Sequence, residues 1–74
     1  MSHEIMIHVR FAPNGTVMEI GERPDGCSAQ AWFNLLSRRD GLAYQALSGG
    51  RGLFRLSPEV LAELRAQSLA EVAA

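Results

Sequence analysis

The order of turn and helix signals constrains this chain more than any other feature of its sequence. Residues 13–15 and 48–52 are turn-forming segments between apolar runs, and helix starts follow near Ser28 and Ser57. Two hairpins that each precede a helix predict a single α+β domain of ββαββα order, with both helices on one face of an antiparallel sheet. The domain is expected to cover residues 1–74, with residues 1–3 and 70–74 frayed.

The first hairpin can be assigned a register. Apolar residues alternate with others from Ile5 to Phe11, as in a strand with one buried face. A four-residue loop at 13–16 keeps Pro13 out of the paired strands and places Ala12 opposite Val17. This register pairs Phe11 with Met18 and Val9 with Ile20 on the inner face. On the outer face it pairs Arg10 with Glu19, an opposite-charge pair.

Both helices have clear start signals. Ser28 can cap a helix with a stripe of apolar residues at i, i+3, i+4 and i+7, namely Ala29, Trp32, Phe33 and Leu36. Its last turn carries arginines and Gly41 suits its end. Ser57 and Pro58 start the second helix as a cap and a first helical residue. Its stripe is interrupted by Ser68, so its last turns either fray or meet another chain.

The segment 42–48 is ambiguous, because short apolar runs fit either a strand or a helix. Its composition favours a helix capped by Asp40. The strand at 53–56, however, needs a neighbour after the glycine-rich loop, and 44–47 is the nearest candidate. A strand is therefore preferred, which gives four strands; a helix instead would leave three strands and three helices.

Composition excludes several classes of protein. The single cysteine, Cys27, rules out an internal disulfide and suits a reducing compartment. There is no secretory-signal pattern and no apolar run long enough to span a bilayer, so a cytoplasmic, non-membrane protein is expected. The two histidines and one cysteine have no metal-ligand spacing, and no nucleotide-binding or nucleophile motif is present. No bound metal, no cofactor and no enzymatic activity is therefore expected.

The basic residues form the strongest candidate site. All seven are arginines, while the formal net charge is −1, so the chain as a whole lacks the charge of a nucleic-acid-binding domain. The segment 38–55 is nevertheless locally basic. If they converge, Arg38, Arg39, Arg51 and Arg55 form a patch beside Tyr44 that can hold phosphates or an acidic protein surface.

Two functions follow as hypotheses. The first is a non-catalytic protein–protein interaction or regulatory module that self-associates, with a homodimer as the expected form. A sheet with helices on one side leaves an open face, on which Met6, Ala12 and Val17 are predicted; Leu69 and Val72 are the second candidate contact. The alternative is a nucleic-acid-binding domain that uses the four arginines.

Overall fold

The structure is a computed structural model that describes residues 3–73, with side chains to residue 71. Its elements, in chain order, are β1 (Ile5–Phe11), β2 (Val17–Ile20), α1 (Ala29–Asp40), a short 3-10 helix (Gly41–Ala43), β3 (Tyr44–Leu47), β4 (Arg51–Leu56) and α2 (Pro58–Ala73). The four strands form one antiparallel sheet in the order β2-β1-β4-β3. The predicted α+β class and ββαββα order are confirmed, and so is the strand at 44–47.

Both helices pack on the same face of the sheet, called here the inner face. Its core joins inward strand residues to three residues of α1 and two of α2. Alternation along the strands places the even-numbered residues of β1 and the odd-numbered residues of β3 and β4 on the opposite side, called here the outer face.

The helices begin where their caps indicate. The Ser28 Oγ accepts a hydrogen bond of 3.1 Å from the Ala31 N–H, and the Ser57 Oγ accepts one of 3.2 Å from the Val60 N–H. These caps satisfy amide groups that a first helical turn leaves without partners. The first cap fixes where α1 starts, and so directs Trp32 into the core, where its indole Nε1 donates to the Gly21 carbonyl at 3.0 Å.

The predicted register of the first hairpin is half right. Val9 pairs with Ile20 and Arg10 with Glu19, as predicted. Phe11 pairs with Val17 instead of Met18, because a β-bulge inserts one extra residue into β2. Val17 is therefore buried in the core at 9% exposure, and Met18 is 55% exposed. The prediction that Val17 lies on the outer face is wrong.

A side chain of α1 supports this bulge. The Gln30 Oε1 accepts a 2.9 Å hydrogen bond from the part-buried Val17 N–H, and the Gln30 amide donates to Asn34 Oδ1 at 3.0 Å. The helix thus supplies the acceptor for an amide of the bulged edge strand, which explains how the extra residue is held in place.

Gln30→Ala is expected to lower the free energy of unfolding by about 1–2 kcal/mol, because the Val17 N–H loses its acceptor while it stays part-buried. Urea denaturation followed by Trp32 fluorescence measures the loss. Asn34→Ala is the matched control, since it removes only the exposed side-chain bond and should change stability by less than about 0.5 kcal/mol. Equal losses in the two variants would contradict the role given to Gln30.

Candidate functional site: the outer face of the sheet

The predicted patch of four arginines does not form. Arg38 and Arg39 lie in the last turn of α1, on the helix side of the sheet. Arg51 and Arg55 are exposed on β4, where they alternate with the buried inner residues Phe54 and Leu56, and so lie on the outer face. The sheet therefore separates the two pairs of arginines, which the chain order alone did not reveal.

The helix-side arginines have local surroundings. The Arg38 guanidinium forms an exposed ion pair with Glu71 at 3.0 Å, joining the end of α1 to α2. Arg39 lines a small groove beside Asp40 and Glu63. Exposed ion pairs of this kind contribute up to about 1 kcal/mol, so these residues serve the contact between the helices in a modest way.

Tyr44 is also not part of a basic patch. It is half-buried on the inner side of β3, with its ring centroid 5.0 Å from that of Phe54 and 5.8 Å from that of Phe33. Every aromatic side chain of the sequence belongs to the inner side, in the core or packed against it: Phe11, Trp32, Phe33, Tyr44 and Phe54. The outer face consequently has no Phe, Tyr or Trp ring on which a nucleic-acid base could stack, and His8 is its one ring-bearing residue.

The outer face is instead basic with an apolar centre. Its strand residues are Met6, His8, Arg10, Glu19, Gln45, Leu47, Arg51, Leu53 and Arg55. Leu53 is only 5% exposed although it lies outside the core cluster. Its cross-strand partners are His8 and Gln45. Met6 is 58% exposed beside it and Leu47 is half-buried. An apolar centre with a charged rim is typical of a protein–protein contact surface.

Charge divides unequally between this face and the rest of the molecule. The outer face carries three arginines and one carboxylate, whereas the remaining residues carry four arginines and seven carboxylates. A chain of net charge −1 thus has a face of +2 and a remainder of −3. The overall charge therefore hides a basic surface on the side of the sheet without helices.

One end of the outer face is concave. An open cleft of about 420 Å³ lies where β1, β2 and the β3–β4 turn meet, lined by Arg10, Arg51, His8, Glu19 and Ser48 among others. Arg10 and Arg51 are direct cross-strand partners. The Arg51 Nε donates to the Ser48 carbonyl at 3.2 Å, which fixes one edge of its guanidinium and leaves the other free. Sequence reasoning placed Arg10 on this face but did not join it to Arg51, because nothing local to either segment indicates that β1 pairs with β4.

The other predicted interface residues are dispersed. Met6 lies exposed on the outer face, whereas Ala12 is half-buried in the loop after β1 and is not part of a strand. Leu69 is 52% exposed on α2, away from the sheet's outer face. The side chain of Val72 lies outside the described residues.

Residues 3–73 can also be examined for a reactive thiol, a metal site and a membrane-spanning helix. The free cysteine, Cys27, is buried in the core. No group of three or more His, Cys, Asp or Glu residues in this range is arranged to hold a metal ion. Neither described helix has the length and apolarity needed to cross a membrane.

No family model matches the chain, and comparison with curated proteins and solved structures found no match. The candidate site therefore stands on its own geometry and charge.

Proposed function

We propose that this protein is a non-catalytic protein–protein interaction module, and that its outer face binds an acidic surface or segment of a partner protein. The observation that carries the proposal is the separation of charge across the sheet. The side without helices bears three arginines and one carboxylate around an apolar centre, while the rest of the molecule is acidic. Complementary charge steers such a partner to this face, and the exposed Met6 and half-buried Leu47 supply apolar area for contact.

The same charges bear on which partner is favoured. A symmetric homodimer through the outer faces would bring together two faces that each carry a charge of +2, which costs free energy. A single-stranded nucleic acid would find arginines here but no Phe, Tyr or Trp ring for its bases. An acidic protein segment can bind this face without base stacking and without two-fold symmetry. It is therefore the partner proposed for the outer face.

Fluorescence anisotropy at low salt can test this with labelled probes of three kinds. The probes are a short peptide of alternating glutamate and serine, the matched lysine–serine peptide, and single-stranded RNA and DNA of similar length. The glutamate peptide is expected to bind more tightly than the others, and its affinity to fall as salt is added. Tighter binding of RNA or DNA would replace the proposal with the nucleic-acid hypothesis, and no binding of the glutamate peptide would refute the proposal.

Light scattering of the free protein would reveal a homodimer, and a dimer that buries the outer face would also refute the proposal.

Two charge reversals locate the surface. Arg55→Glu on the outer face is expected to weaken binding of the glutamate peptide at least about fivefold, because it places a carboxylate beside the ligand. The matched control, Arg39→Glu, makes the same change in net charge on the helix side and should alter affinity by less than about twofold. Equal effects would show that only the net charge matters, and the outer face would lose its assigned role.

A further inference from the structure

Arg10 and Arg51 form an arrangement that is unfavourable in the free protein. They lie directly opposite each other on the two central strands, and like charges in that position repel. Among residues 3–73, ion pairs within 4.0 Å join only Arg38 to Glu71 and Arg65 to Glu22, so neither of the two facing arginines forms one, although Glu19 lies cross-strand from Arg10 on its other side. A pair of this kind is stabilised when an anion lies between the two guanidinium groups.

The surroundings of the pair fit such an anion. Both arginines line the open cleft of about 420 Å³, which has room for a side chain from another molecule. The Arg51 Nε is engaged by the Ser48 carbonyl, so the terminal nitrogens of Arg51 are the donors left to face the cleft. His8 lines the same cleft, and Glu19 is its one carboxylate, cross-strand from Arg10.

We infer that the cleft is a carboxylate-binding subsite, in which Arg10 and Arg51 together hold one carboxylate of the partner. The inference rests on the proposed function and names its anchor point. Guanidinium groups donate paired N–H bonds to the two oxygens of a carboxylate, and such charge-assisted pairs are stronger than neutral hydrogen bonds. Glu19 lies beside Arg10 on the β2 side. Its carboxylate repels the carboxylate of the ligand, so Glu19 weakens binding at the subsite.

Single substitutions test the anchor with the glutamate–serine peptide. Arg10→Gln and Arg51→Gln are each expected to weaken binding about tenfold or more. Arg55→Gln is the matched control, since Arg55 lies on the same face and strand as Arg51 but opposite the uncharged Met6; it should weaken binding only about two- to threefold. Glu19→Gln is expected to act in the opposite direction and to strengthen binding severalfold.

Two further variants separate the paired geometry from simple charge. Arg10→Lys and Arg51→Lys keep the charge but lose the guanidinium fork, and they should still weaken binding severalfold. Full affinity in both lysine variants would overturn the carboxylate subsite. All of these side chains are exposed, so the variants are expected to fold, and circular dichroism checks that they do.

The affinities of two forms of the peptide show whether the bound carboxylate belongs to a side chain or to a chain terminus. One form has an amidated C-terminus and glutamate side chains; the other has a single free C-terminal carboxylate and no glutamate. Preference for the first identifies an acidic side chain as the occupant and preference for the second identifies a chain terminus, and each supports the subsite if it depends on Arg10 and Arg51.

The outcomes also distinguish the inference from the proposed function. If the peptide binds and Arg55→Gln weakens it as much as Arg10→Gln and Arg51→Gln do, the outer face binds acidic chains without an anchor and only the inference fails. If the wild-type protein does not bind the peptide, both fail.

Discussion

Trp32→Ala is expected to lower the free energy of unfolding by about 3–5 kcal/mol, the largest loss of any single substitution considered. The indole is fully buried in the centre of the core, and its Nε1 bond to the Gly21 carbonyl ties α1 to the end of β2. A domain of this length has a total stability of roughly 4–11 kcal/mol, so the loss amounts to between about a quarter of that stability and all of it.

Urea denaturation followed by far-UV circular dichroism measures this loss, because Trp32 is the only tryptophan and the variant has no indole fluorescence. Trp32→Phe keeps an aromatic ring but removes the hydrogen bond and part of the volume, and should lose about 1–3 kcal/mol. Leu69→Ala removes an exposed apolar side chain and should change stability by less than about 0.5 kcal/mol. A loss below about 1 kcal/mol for Trp32→Ala would mean that α1 is not packed on the sheet as described.

Gly52→Ala is expected to destabilise the protein by about 1–3 kcal/mol, although it adds only one methyl group. Gly52 lies on the inner side of β4, and a Cβ there would overlap the Tyr44 side chain, with its ring carbons Cε1 and Cζ 2.6 and 2.7 Å away. The Tyr44 ring is held between Phe33 and Phe54, so it has little freedom to move aside. The glycine therefore makes room for the aromatic cluster under β3.

A thermal melt compares Gly52→Ala with Gly41→Ala, whose added Cβ meets no atom within 4 Å and which has helical dihedral angles. The Gly41 variant should be as stable as the wild type or slightly more so. In a Tyr44→Leu background the cost of Gly52→Ala should fall markedly, since the ring that occupies the space is gone. An unchanged cost in that background would show that the strain has a different source.

Local features of the sequence predicted most of this fold because they act over short distances. The caps at Ser28 and Ser57 mark the helix starts, and alternation marks β1 and its buried face. The bulge at Met18 was not predictable from alternation, because the acceptor for the Val17 N–H beside it is the Gln30 side chain, which comes from an element that follows β2 in the chain. Its consequence was the wrong placement of Val17.

The candidate site was less predictable, for a physical reason. Arg38, Arg39, Arg51 and Arg55 are close in sequence, yet the sheet lies between the first two and the last two. Arg10 and Arg51 are distant in sequence and become neighbours only because β1 pairs with β4. Which strands become neighbours in the centre of a sheet is decided by the packing of the whole domain, and no short segment carries that information.

The most direct test of the account is to map by NMR where the glutamate–serine peptide binds to the isotopically labelled wild-type protein. The amides of the central strands β1 and β4 and of the turn at 48–50 are predicted to shift together as peptide is added, with the largest changes around Arg10 and Arg51, while α1 and α2 stay unchanged. Shifts centred on the helices, or spread evenly over the surface, would contradict the claim that the outer face is the binding surface.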